Sequence, residues 1–298
     1  MALAECNTTV DQTGRELIEH GTTDFPIACY HDDFRICDVP WHWHEEWEAV
    51  RITQGSCLVA AGNQKVTLSA GEGFFIHAGA LHGCWDTENS SCRFHSIVFH
   101  PRLVGGSLDS IFHQQFVQPL LDNSGPELIV LKPDTLWQKQ ALEAIEDAWQ
   151  QCAEETAGFP FRVRNSLSEL IWLLCSNLSP TAASVSSKDL RNAQRIKAML
   201  HFIHGQFDCE LTTADIAASV CVSESECLRC FRKTIGTTPK QYLKQFRIRQ
   251  AAALLSETRQ KISDIAVGCG FQDMSYFTKT FREQMGCTPT QYRKNASS

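Results

Sequence analysis

The segment Pro40-Trp-His42-Trp-His44-Glu-Glu-Trp-Glu48 concentrates imidazole, carboxylate and indole groups in nine residues. Side chains alternate between the two faces of an extended strand, so His42 and His44 share a face, and even spacing lets Glu48 join them. Val50 and Ile52 continue that parity as interior positions. A few convergent polar groups set among aromatic rings hold a small polar ligand such as a sugar, and Trp41, Trp43, Trp47 and Trp85 lie close by in sequence. The same tryptophans serve equally well as core.

A different chemistry sits near the C-terminus. Counted from helix caps at Ser223 and Asp273, at 100° per residue, positions +4, +7 and +8 fall on one face. These are Cys227, Cys230 and Phe231, then Phe277, Thr280 and Phe281, and they should pack inward. Positions +2, +5, +6 and +9 fall opposite: Ser225, Leu228, Arg229 and Arg232, then Ser275, Thr278, Lys279 and Arg282, with Met274 opening the second helix. Short, polar and basic faces of this kind suit a DNA groove. Arg229 and Lys279 can donate to guanine O6 and N7, and Leu228 can meet a thymine methyl. Arg232, Arg282, Lys233 and Lys240 are placed for phosphates, which position without reading sequence. Glu224 and Glu226 repel phosphate but lie in a first helical turn, where the dipole favours them; Ser223 and Glu226 have capping-box spacing.

The elements needed to position these groups are legible. Phe231-Arg-Lys-Thr-Ile-Gly-Thr-Thr-Pro-Lys-Gln-Tyr242 returns as Phe281-Arg-Glu-Gln-Met-Gly-Cys-Thr-Pro-Thr-Gln-Tyr292, and Asp215-Ile-Ala217 returns as Asp264-Ile-Ala266. Two copies of one supersecondary unit follow, each a short helix (about 215–219 and 263–267), a tight turn and a longer helix. That arrangement places its second helix in a major groove. Upstream, the runs starting at Ala49, Ser56, Gln64, Gly73 and Arg93 are short strands between Gly and Asn turn signals, as in a sandwich or barrel. Leu142, Ile145, Trp149 and Cys152, then Val163, Leu167, Leu170, Ile171, Leu174 and Leu178, recur at helical spacing around the breaker Gly158-Phe-Pro160. Residues 179–187 have linker composition.

Composition agrees with two soluble domains. The 298 residues are 43% hydrophobic and 20% charged, with no apolar run near the ~20 residues of a membrane span and no apolar signal segment at the start. A cytoplasmic protein is expected, its 14 cysteines mostly free and buried. Cys227-x-x-Cys230 lacks a second pair to complete a zinc site. The net charge of −7 divides unequally: residues 188–298 hold 17 Lys+Arg against 10 Asp+Glu, net +7, and the rest is net −14. The basic part can neutralise phosphates while the acidic part stays off DNA.

Residues 195–293 resemble the arabinose-operon-activator family of regulators, through Ile265-Ala-Val-Gly-Cys-Gly-Phe-Gln-Asp-Met-Ser-Tyr-Phe-Thr-Lys-Thr-Phe-Arg282, Gly286-Cys-Thr-Pro289 and Tyr292-Arg293. The resemblance implies two helix-turn-helix units joined by a long helix, here about Pro239–Leu255. In the first half, His42-x-His44-x3-Glu48-x6-Gly55 resembles the first motif of cupin barrels, and Gly71-x5-His77-x-Gly79-x2-His82 the second, with His77 and Asp86 departing from it. That resemblance adds His82 to His42, His44 and Glu48 as the set that binds a divalent metal in metal cupins. Many barrels fused to such DNA-binding units use the pattern as an effector pocket, here His42, His44, Glu48, His82 and Trp43.

The expected fold is α+β in two domains: a cupin-like β-barrel with two helices, and an all-α double helix-turn-helix. Residues 1–134 form the barrel, 135–178 a dimerisation or cover segment, 179–187 a linker and 188–298 the DNA-binding domain. The expected function is sequence-specific transcription regulation, without catalysis, in which a small effector modulates binding to a double-stranded operator. A homodimer is expected, with RNA polymerase as partner if the chain activates. No cofactor is required. The alternative is a metal-dependent cupin enzyme or metal sensor fused to the DNA-binding part.

Overall fold

The computed structural model describes residues 3–4, 10–11, 14–35, 39–62, 64–87, 91–122, 126–178 and 187–296. Two compact units divide between Ala193 and Gln194. Except for Ser187, the expected linker 179–187 lies outside the described residues.

The strands of the first unit are β1 (Leu3–Ala4), β2 (Ile27–Asp33), β3 (Val39–His42), β4 (Trp47–Gln54), β5 (Ser56–Ala61), β6 (Gln64–Ser69), β7 (Gly73–Ile76), β8 (His82–Asp86), β9 (Arg93–Phe99) and β10 (Leu128–Leu131). They form a six-stranded sheet, β1-β2-β9-β4-β7-β10, and a four-stranded sheet, β3-β8-β5-β6. Every pairing is antiparallel except that of β1 with β2. An interior cluster draws from both sheets: Val50, Ile52, Cys57, Val59, Leu68, Phe74, Ile76, Cys84, Phe94 and Leu128. Between β9 and β10 run α1 (Arg102–Gly105), a π-helical turn (His113–Val117) and α2 (Gln118–Asp122).

Helices α3 (Leu136–Glu154) and α4 (Phe159–Asn177) cover the outer face of the larger sheet. The break between them follows the chemistry of Gly158, which takes φ +79° as the N-cap of α4, and of Pro160 in that helix's first turn. Strand β4 is consequently buried on both faces. Trp47 and Ala49 meet Leu142, Ile145 and Leu170 in the layer against the helices, while Val50 and Ile52 point into the barrel. Burying one such large apolar side chain stabilises by about 1.5–3 kcal/mol, so β4 anchors the unit, and with it Glu48.

The second unit is helical: α5 (Ser187–Gly205), α6 (Thr213–Ala218), α7 (Glu224–Thr234), α8 (Pro239–Glu257), α9 (Ile262–Gly268), α10 (Met274–Met285) and α11 (Pro289–Ala296). Helix α8 starts with a Thr238–Gln241 capping box and Pro239. It contacts α6 and α7 on one side of the repeat and α9, α10 and α11 on the other.

The two turns between paired helices show the same bonds with different residues. Val222 N–H donates to Ala217 O at 3.1 Å and Phe271 N–H to Ala266 O at 2.9 Å, the long bond of a Schellman ending. The residue inside each bond is left-handed: Gly270 at φ +77° and Cys221 at φ +54°. A left-handed L residue costs about 1–2 kcal/mol, partly offset by the greater chain entropy that glycine loses on folding. Cys221 is exposed and packs no core, so Cys221→Gly should stabilise the second unit by about 0.5–1 kcal/mol. Urea unfolding followed by circular dichroism checks this; a lowered midpoint would contradict it.

Candidate functional site

Cross-strand register and the break between β3 and β4, which lie in different sheets, assemble the cage in the first unit. His42 on β3 sits directly opposite His82 on β8, with ring centroids 4.2 Å apart. His44 follows two residues after His42, its ring 5.0 Å from that of His82. Glu48 enters from β4, opposite Ile76 and Val98. One ligand atom from each of His42, His44, Glu48 and His82 lies within 4.8 Å of every other, and all four residues are buried.

Backbone carbonyls orient all three rings. Nδ1–H donates to Pro40 O from His42 at 2.8 Å, to Glu46 O from His44 at 3.1 Å and to Ala80 O from His82 at 2.9 Å. Because a carbonyl only accepts, each ring carries its proton on Nδ1 and, when neutral, presents Nε2 as a lone pair. His44 Nε2, His82 Nε2 and Glu48 Oε2 have no aligned hydrogen-bond partner, although His82 Nε2 lies 2.9 Å and His44 Nε2 3.8 Å from Glu48 Oε2. A buried polar atom left unsatisfied costs about 1–3 kcal/mol. Three of them aimed together form a site that gains on taking a ligand. Nitrogen and carboxylate donors fixed through their far ring nitrogens fit a first-row divalent ion.

Electrostatics act in both directions: burial lowers the His82 imidazole, but the Glu48 carboxylate outweighs it and raises His82 above its ordinary value. Burial, followed by repulsion from His82, holds the His42 imidazole down at about 3. For Glu48, burial opposes ionisation, but the imidazoles of His44 and His82 outweigh it and keep the carboxyl well below the usual range.

Of the residues the sequence pointed to, Trp43 lies between His42 and His44 in sequence, and its ring carries the Arg15 guanidinium at 5.9 Å. Trp47 packs on Phe75 and Phe99, and Trp41 on Trp85. The sequence reading missed Glu16, His20 and Tyr30. Arg15 bridges to Trp43 and Glu16 N–H donates to Trp43 O at 2.9 Å, which brings Glu16 Oε2 to 3.8 Å from His42 Nε2. His20 Nε2 lies 3.1 Å from the same oxygen, and its Nδ1 2.8 Å from the Tyr30 hydroxyl.

In the second unit the inward positions pack as helical geometry dictates: Cys227, Cys230, Phe231, Phe277, Thr280 and Phe281 are all buried. Burial raises the Cys227 thiol to about 11, as suits a structural rather than reactive cysteine. On the opposite faces Ser225, Arg229, Arg232, Met274, Ser275, Lys279 and Arg282 are exposed, and Leu228 and Thr278 half-buried. Met274, Ser275, Thr278, Lys279 and Arg282 line one open groove on α10 together with Glu283 and Thr288. Asp273 caps this helix by accepting from Tyr276 N–H at 2.6 Å.

Helix α7 differs in one respect. Ser223 accepts from Glu226 N–H at 3.2 Å, but Glu226 does not complete a capping box. Its carboxylate instead accepts from Arg229 Nε at 2.8 Å and Nη2 at 2.5 Å and lies 3.5 Å from Arg195. Arg229 is thus neutralised on the exposed face of α7. Glu226→Gln should release it and remove a charge that repels phosphate, tightening DNA binding about two- to fivefold, in keeping with the small worth of an exposed pair. Fluorescence anisotropy on a selected duplex measures this; weaker binding would instead make Glu226 the residue that aims Arg229.

Comparison with known proteins adds a lineage. An AraC-like ligand binding domain family matches residues 24–200, and a helix-turn-helix domain family matches residues 216–295. YdeC of Bacillus subtilis (strain 168), an uncharacterized HTH-type transcriptional regulator, is 29% identical over 293 residues, covering 97% of this chain and 98% of its own. The melibiose operon regulatory protein of Escherichia coli (strain K12) is 29% identical over 261 residues, 85% of this chain and 83% of its own. The transcriptional activator RhaR of Mannheimia succiniciproducens is 23% identical over 254 residues, 85% and 87% of the two chains. With its ligand-binding unit matched over more than half its length and a doubled helix-turn-helix behind it, this chain belongs to the AraC family: it is a DNA-binding transcription regulator and not an enzyme.

Proposed function

We propose that the buried cage is the sensing site of this regulator and that its occupancy alters how α7 and α10 bind an operator. The observation that carries this is the convergence of His44 Nε2, His82 Nε2 and Glu48 Oε2, buried and without aligned partners. DNA contact is assigned to Ser225, Leu228, Arg229 and Arg232 on α7 and to Met274, Ser275, Thr278, Lys279 and Arg282 on α10. A sugar effector is supported by the melibiose operon regulatory protein among the relatives. A homodimer through 135–178 is supported by Phe161 and Trp172, exposed on α4 and, eleven residues apart, only about 20° apart around the helix. The protein works in the cytoplasm, in keeping with the absence, among the described residues, of a helix long and apolar enough to cross a membrane; if it activates, RNA polymerase is its partner.

One observation favours a second reading, in which the effector is a divalent metal ion or is held by one. Four ligand atoms within 4.8 Å of one another match an ion more closely than a sugar ring. The experiment selects a duplex from a random pool with the full chain, then measures its affinity after adding Zn(II), Co(II) or candidate sugars. The proposal expects at least one addition to shift affinity, and the shift to vanish in His42→Ala and His82→Ala. An unchanged affinity throughout would remove the cage from sensing.

A further inference from the structure

We propose that Glu16 belongs to the cage as an outer carboxylate that balances the charge of a bound dication, aimed by a line through His20 to Tyr30. This rests on the metal reading of the cage.

The case starts with charge. Three neutral imidazoles and the Glu48 carboxylate around a divalent ion leave one positive charge uncompensated among residues that are almost wholly buried. An isolated charge removed from water is costly unless an opposite charge accompanies it. Glu16 supplies that charge: its side chain is 7% exposed and its Oε2 lies 3.8 Å from His42 Nε2. It falls outside the group of four whose ligand atoms share the 4.8 Å limit, so its action on the ion is from beyond the ligands themselves.

Its neighbours show a built position. A carboxylate only accepts, so the 3.1 Å contact makes His20 Nε2–H the donor to Glu16. In the neutral ring Nδ1 then accepts, and the Tyr30 hydroxyl 2.8 Å away donates to it. Arg15, adjacent in sequence, turns to Glu45 at 3.5 Å and to the Trp43 ring. Groups just beyond the ligands that hold or tune them typically contribute about 10–100-fold to metal affinity; Glu16 would act by its charge, since the far ring nitrogens of the cage already donate to backbone carbonyls.

The test measures Co(II) affinity of the full-length chain by competition with a chelating dye, alongside the visible spectrum of bound Co(II). Glu16→Gln removes the charge and keeps the shape; it should weaken Co(II) binding about 10–100-fold with the absorption bands unmoved, because the ligands are unchanged. Tyr30→Phe removes only the far hydroxyl and should weaken binding by a smaller factor, still above threefold. Affinity in Glu16→Gln within threefold of the parent would overturn the proposal and leave Glu16 as an anchor for the segment around it. Shifted bands would overturn it too, by making Glu16 a direct ligand. Should Glu16→Gln not fold, Tyr30→Phe decides by the same threefold criterion. A parent chain that binds no Co(II) would instead refute the metal reading, and this inference with it.

Discussion

Phe281→Ala is expected to remove about 3–5 kcal/mol from the second unit and to weaken operator binding to the extent that the unit unfolds at 25 °C. The ring is fully buried, with Phe277 at 5.7 Å and Tyr292 at 5.5 Å, at the centre of a cluster that also takes in Ile248, Ala251, Leu255, Ile265 and Phe271. A domain stabilised by about 5–15 kcal/mol loses from about a fifth to all of its margin. The chain carries its own control, because all seven tryptophans lie between residues 41 and 172, within the first unit. Tryptophan fluorescence therefore follows that unit's urea transition, while far-ultraviolet circular dichroism follows both. The dichroism transition should move to lower urea and the fluorescence transition should stay. Transitions that moved together would mean that the units unfold as one.

Lys279→Ala should cost about 1–3 kcal/mol on the best operator, or roughly 5–150-fold in affinity, and relax preference at one base pair. Lys279 is exposed in the α10 groove and makes no ion pair or hydrogen bond among the described residues, so under the proposed assignment no other interaction has to break for its donors to reach a base. Arg282→Ala should differ in kind, weakening all sequences alike and flattening the dependence of log affinity on log salt by about 0.9 for each phosphate it no longer neutralises. Binding titrations at several salt concentrations, on the best site and its single-base variants, separate the two. If Lys279→Ala lowered affinity evenly across variants, Lys279 would be a phosphate contact and the base-reading assignment would fall. Arg229 on α7, already paired with Glu226, should give a smaller loss than Lys279 when replaced by Ala.

Local periodicity made much of this structure readable in advance, and long-range pairing made the rest unreadable. His42, His44 and Glu48 come together, but not by the alternation along one strand that their spacing suggested: β3 ends at His42, and Glu48 enters from β4 of the other sheet; α3 and α4 carried clear apolar stripes. The inward faces of α7 and α10 followed from cap position and helical angle alone. The position of Glu16 beside His42 depends instead on one irregular segment bridging to Trp43, a contact across nearly thirty residues for which no local pattern exists. Strand β10 was likewise silent: Leu128–Leu131 has no polar alternation because it completes a sheet beside β7. Ser223 and Glu226 had capping-box spacing, yet a nearby guanidinium is a stronger partner for a carboxylate than a backbone amide, and Arg229 took it.

The nineteen residues of α8 extend about 28 Å at 1.5 Å per residue, and each half of the DNA-binding unit grips its own part of that length. Tyr242 meets Phe231 near one end, and Ile248, Ala251, Ala252 and Leu255 join the cluster of the second half. The two reading surfaces are therefore joined by a rod and not a tether. One base pair added between their subsites would turn the second away by about 35° of duplex, which a flexible connection absorbs and a rod does not. Operators of this regulator should accordingly vary in letters far more readily than in the count of letters between subsites.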